Sequence, residues 1–131
     1  MDIKKIKIAP SYKKDNGNFV LSLDDIPIPE NFQKIDQSII YIAPFQVGGN
    51  HKHKRVEVFV GLGEGLEIYW LDEKGDLKIE KMNPEGQLLV FFIPSFTPHA
   101  IKNNSTSGAC LIELADSRQT LKDVEKIKVF F

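Results

Sequence analysis

The chain is poor in the features that announce most functions. It has a single cysteine, Cys110, so no intramolecular disulfide can form. Cys110 sits in the apolar run "ACLIEL" and reads as a small buried hydrophobe. No apolar run approaches the roughly 20 residues that a membrane span needs. The N-terminal "MDIKKIKIAPSYKK" is basic, but it alternates charged and apolar residues instead of presenting a signal-peptide core. There is no excess of either charge: the formal net charge is -1. That balance gives no general reason to expect nucleic acid or an anionic membrane as a partner. A cytoplasmic protein is the expectation. Helical periodicity is nearly absent too, and so are linkers, repeats and low-complexity segments.

What is present is a globular composition, 42% hydrophobic and 27% charged over 131 residues, which suits one domain spanning 1–131. Short apolar or alternating runs fill the chain: "IKKIKI", "FVLSL", "IIYIA", "VEVFV", "LEIYWL", "LKIE", "LLVFFI", "HAIKN", "ACLIEL" and "IKVFF". Turn residues separate them, as in "KDNGN", "DEKGD", "NPEGQ" and "NNSTSG". About ten short strands at close spacing predict an all-β sandwich or barrel. "LEIYWL-DEKGD-LKIE" predicts a hairpin. "TLKDVEK" is the one candidate helix, with Thr120 and Asp123 placed as a weak capping box.

Several strands are apolar on both faces. In "LLVFFI", Leu88, Val90 and Phe92 point one way while Leu89, Phe91 and Ile93 point the other. In "VEVFV", Val56, Val58 and Val60 lie opposite Glu57 and Phe59. A second apolar face needs a second cover. A homodimer is expected to supply it, in preference to another layer of the same chain.

Only three histidines occur, and two of them stand in "GGNHKHKRVEVFVGLGEG". His51, His53 and Glu57 share parity, so an extended segment would put them on one face with Phe59. A carboxylate buried beside imidazoles is costly unless something positive pairs with it. A divalent cation meets that need, and imidazole nitrogen with carboxylate oxygen suits Mn, Fe, Co, Ni, Cu and Zn alike. The third histidine, His99, lies in "IPSFTPHAIKNN" and shares parity with Ile101 and Asn103. The neighbouring cations Lys52, Lys54, Arg55 and Lys102 read as a solvated face, or as a means of steering an anionic substrate.

The two histidine segments resemble the two motifs of the cupin family, G-x5-H-x-H-x3-4-E-x6-G and G-x5-P-x-G-x2-H-x3-N. His51, His53 and Glu57 fill the first; Pro94, His99 and Asn103 fill the second. The resemblance covers about residues 38–115. It implies a jelly-roll barrel (a double-stranded β-helix) holding one metal through His51, His53, Glu57 and His99. Departures fall on glycines. Phe45 and Phe96 stand where the motifs have glycine, Gly63 and Gly65 flank another motif position, and Gly86 lies two residues early. Four protein ligands would leave about two positions of a six-coordinate ion open for water, dioxygen or a chelating substrate. Cupins use such sites for isomerisation, epimerisation, dioxygenation and decarboxylation, and some only bind small molecules. "GNHKHK" is similar to the R-G-x-H-A-H-K signature of sugar-nucleotide cupins such as dTDP-keto-hexulose ketoisomerases, with Gly48 in place of the arginine. That likeness implies a sugar or sugar-nucleotide isomerase. A metal-dependent dioxygenase or a non-catalytic binding protein is the alternative.

Overall fold

A computed structural model describes residues 2–118 and 124–126. Twelve strands follow one another: β1 (Lys4–Ile8), β2 (Tyr12–Lys13), β3 (Phe19–Val20), β4 (Asp36–Ile42), β5 (Val47–His53), β6 (Glu57–Leu62), β7 (Leu66–Leu71), β8 (Leu77–Lys81), β9 (Leu88–Ile93), β10 (His99–Asn103), β11 (Ala109–Ala115) and β12 (Val124–Lys126). Ten of them form two antiparallel sheets, ordered β1-β9-β6-β11-β4 and β12-β5-β10-β7-β8, and β2 and β3 form a small hairpin. This is a cupin-type jelly roll, open along its sides rather than closed into a barrel. The hairpin expected of β7 and β8 is there, in register from Glu67 opposite Lys81 to Leu71 opposite Leu77. The candidate helix is not: Val124–Lys126 pairs with β5, and the rest of "TLKDVEK", like "IKVFF", lies outside the described residues.

The core sits between the sheets because each strand turns one parity inward. Phe59, Leu89, Phe91, Ile93 and Leu111 come from one sheet and Leu66, Ile68, Trp70 and Ile101 from the other. The opposite parity of the first sheet forms a second cluster, with Val58, Val60, Val90, Ile112 and Leu114 at its centre. The cover over this cluster is not left to a second copy. The chain covers this face itself, with Leu21, Ile26 and Phe32 from the segment between β3 and β4 packed onto it. The β4 edge is among the apolar regions that stay exposed, with Ile35, Ile39 and Tyr41 at 51%, 75% and 65%. Cys110 is half-buried and free, beside Tyr41 and Leu62 in the register.

The glycine departures have a structural consequence. Phe45 and Phe96 take φ of +60° and +61°. Each is the third residue of a four-residue turn, closed by Gln46 N–H donating to the Ala43 carbonyl (3.1 Å) and Thr97 N–H to the Pro94 carbonyl (3.3 Å). That position asks for glycine. A side chain there costs about 1–2 kcal/mol, and both rings are 58% exposed, so little packing offsets it. Phe45→Gly and Phe96→Gly are each expected to stabilise the fold. The net gain is about 0.5–1 kcal/mol once glycine's own entropic cost is counted. Thermal melting checks this; a lower melting temperature would mean the rings are held by contacts worth more than the strain.

Candidate functional site

Three histidines and Glu57 meet at one end of the space between the sheets, but by a different route from the one parity suggests. The segment does not stay extended. β5 ends at His53 in one sheet, residues 54–56 cross over, and β6 begins at Glu57 in the other sheet. Glu57 therefore reaches the histidines from across the sandwich. His51 and His99 are register partners on β5 and β10, so their rings are brought side by side by strand pairing. Ring centroids of the three histidines are 4.9, 5.0 and 5.1 Å apart. Phe59 packs against His99 at 5.7 Å.

Two backbone carbonyls settle the tautomers. His53 Nδ1 lies 3.1 Å from the Arg55 carbonyl and His99 Nδ1 lies 2.7 Å from the Thr97 carbonyl. A carbonyl only accepts, so both Nδ1 atoms carry the proton, and in a neutral ring Nε2 is then a bare lone pair. Those lone pairs point at a carboxylate: Glu57 Oε1 is 2.8 Å from His53 Nε2 and 3.4 Å from His99 Nε2. None of the three atoms has an aligned hydrogen-bond partner, though all are buried. Proximity without alignment is what a shared cation would relieve. The three histidines each offer a nitrogen within 4.8 Å of the others, a spacing that one metal ion can bridge. The donor set fits a divalent first-row metal. Burial, reinforced by the charges of His99 and His53, pushes His51 down to about 4, so it is neutral at pH 7 and free to ligate. For Glu57, burial favours the neutral acid, but His53 and His99, when each ring carries a second proton in place of a metal, outweigh it and hold the group well below the usual carboxylate range.

Arg55 is not part of a solvated face. It is 8% exposed and turned inward against Glu57, Glu113 and Asp36. The buried carboxylate thus has a protein cation beside it already. Lys52 pairs with Glu125 at 3.6 Å. Glu113 was missed by sequence reasoning, although the signal was there: a single carboxylate at the inward parity of "ACLIEL". It lines the same cavity, about 180 Å³, as His51, Arg55, Glu57 and His99, with Ile40, Phe59 and Leu111 as apolar wall. A wider cleft of about 430 Å³ shares Arg55 with it and is lined by His53, Lys54, Ser95 and Arg118. Asn103, in the second motif, hydrogen-bonds to Ile42, Ser105 and Ser107 at the far end of the strands.

Burial first, then the charge of Glu57, pushes Glu113 up to about 8. Its unfolded form loses the proton near 4.5 while the folded form keeps it, so stability falls as pH rises through that window. The His51 shift, from 6.5 to about 4, acts in the opposite sense but only below about 6.5. Melting of the metal-free protein is therefore expected to drop between pH 6.5 and 8.5, and Glu113→Gln is expected to flatten that slope. An unchanged slope in the variant would show that Glu113 is ionised in the fold.

No protein-family model matches this sequence, and no curated protein matches it. Solved structures do. A mutant of the 3,4-ketoisomerase QdtA from Thermoanaerobacterium thermosaccharolyticum, in complex with TDP-4-keto-6-deoxyglucose, superposes with TM-score 0.74 at 17% identity, over 95% of this chain and 87% of that one. A 3,4-ketoisomerase from Helicobacter canadensis gives TM-score 0.70 at 23% identity, over 96% and 91%. The capsular polysaccharide assembling protein CapF from Staphylococcus aureus gives TM-score 0.62 at 21% identity, over 70% of this chain but only 28% of CapF. At these identities the likeness establishes the fold, and the chemistry has to be argued from the site. No helix among the described residues is long and apolar enough to cross a membrane.

Proposed function

We propose that this chain is a single-domain, metal-binding cupin that isomerises or epimerises a small polar substrate, a sugar or sugar nucleotide. One observation carries the metal: buried Nε2 atoms of His53 and His99 converge on Glu57 Oε1 with no aligned hydrogen bond among them. His51, His53, Glu57 and His99 are the ligands. The bound ion would polarise a carbonyl or hydroxyl oxygen of the substrate. The chain's own residues do the rest. Thr97 and Arg55 carbonyls keep two imidazoles in the ligating tautomer. Phe59 and Leu111 narrow the cavity and exclude bulk water, and Glu113 faces the bound group from the opposite strand. At about 180 Å³ the cavity is smaller than the roughly 300–1,000 Å³ of drug-sized ligand sites. It suits a sugar ring, with any charged remainder in the adjoining cleft near Lys54 and Arg118.

The fold shared with 3,4-ketoisomerases supports the reaction class. Incubating untagged protein with TDP-4-keto-6-deoxyglucose in deuterium oxide tests it. Proton NMR is expected to show exchange of the hydrogen next to the ketone and a second keto sugar. No exchange with this or with simpler keto sugars would contradict the reaction class. We place the protein in the cytoplasm and as a homodimer joined through the β4 edge, where Ile39 and Tyr41 are exposed. Light scattering at micromolar concentration is expected to give about twice the 14.9 kDa of one chain; a monomer mass would refute it.

A further inference from the structure

Arg55 stands between His53 and Glu57 in sequence and holds both. Its Nε and Nη2 reach Glu57 Oε2 at 3.0 and 2.8 Å. Nη2 also donates to Glu113 Oε1 at 2.6 Å, and Nη1 to Asp36 Oδ2 at 3.2 Å and to the Ser117 carbonyl at 3.3 Å. Its own carbonyl accepts from His53 Nδ1. The guanidinium is thereby fixed by groups on β4, β6 and β11. A planar, rigid fork in that position fixes the plane of the carboxylate it grips. Oε2 of Glu57 is committed to the arginine, and Oε1 is the oxygen that faces His53 and His99.

We propose that Arg55 is the positioning residue of the metal centre, restricting Glu57 to coordination through one oxygen and so keeping the ion's remaining positions for an outside ligand. This rests on the metal-binding function proposed above. Charge alone argues in the other direction. A cation touching a ligand repels the metal, so on electrostatics alone its removal should tighten binding. Positioning predicts that its removal weakens binding, as disturbing the partner of a metal ligand does. The sign of the change separates the two.

The test is titration of metal-free wild type, Arg55→Met and Arg55→Lys with Co(II), reading affinity and the visible absorption of the bound ion, with folding checked by circular dichroism. Co(II) affinity is expected to fall tenfold or more in Arg55→Met, with a shifted visible spectrum as Glu57 swings free. Arg55→Lys keeps a buried cation for Glu57, Glu113 and Asp36 but loses the fork, and it decides the matter if the methionine variant does not fold. It too is expected to bind more weakly. A folded variant that binds Co(II) as tightly as wild type, or more tightly, with an unchanged spectrum overturns the inference. Wild type that takes up no Co(II) sinks the metal-binding function itself, an outcome distinct from the other.

Discussion

Glu57→Gln is expected to lower metal affinity by tenfold or more. Three neutral imidazoles and one carboxylate around a divalent ion leave a net charge of about +1; the glutamine raises it to about +2 in a buried site. Shape is nearly conserved, so the loss is of the anion and of its coordinating power. The metal-free protein is expected to suffer as well, because the carboxylate has a partner there. In the structure it is gripped by Arg55 at 2.8 Å. Breaking that contact costs about 1–3 kcal/mol, lessened because Glu113, 2.6 Å from the same guanidinium, can ionise in its place. Thermal melting of both proteins, with chelator and with added metal, separates the effects. A metal that raises both melting temperatures equally would show that Glu57 is not a ligand.

Asn103→Ala is expected to cost about 3 kcal/mol, near the upper end for a point substitution, without weakening metal binding in the folded protein. The side chain is fully buried. Its amide donates to the Ile42 carbonyl (3.0 Å) and the Ser107 carbonyl (2.8 Å), and its oxygen accepts from Ser105 N–H (3.1 Å) and Ser105 Oγ (2.8 Å). It ties the end of β4 to the β10–β11 turn. Truncation leaves buried carbonyls unsatisfied at about 1–3 kcal/mol each. Neighbours cannot fill the space cheaply: a Cβ on Gly65 would already lie 2.7 Å from Asn103 Oδ1 and 2.6 Å from Ser105 Cβ. That packing explains why a motif glycine belongs near this position. Chemical denaturation measures the loss. A cost under about 1 kcal/mol would mean that water replaces the amide.

Strand identity was legible wherever parity and turn residues agreed. β9 turns Leu89, Phe91 and Ile93 to one cluster and Val90 and Phe92 to the other, as alternation requires. The four ligand candidates were legible in the resemblance to the cupin motifs; the three histidines offer nitrogens within 4.8 Å of one another, and Glu57 Oε1 is 2.8 Å from His53 Nε2. The path between them was not legible, since the crossover at residues 54–56 depends on which sheets β5 and β6 join, and that is decided by partners far along the chain. Arg55 was misread for the same reason. Among Lys52 and Lys54 it looks like one more surface cation, and its burial depends on Glu113, 58 residues away, and Asp36, 19 away. The cover over the outer face was hidden in Leu21, Ile26 and Phe32, apolar residues scattered among turns with no period to mark them.

Elemental analysis of the protein purified without a histidine tag, before and after incubation with Mn, Fe, Co, Ni, Cu or Zn, bears most directly on the central claim. One transition-metal ion per chain is predicted, as isolated or after uptake, and acid that protonates the imidazoles should release it. A chain that holds no such metal and takes none up would contradict the assignment of His51, His53, Glu57 and His99.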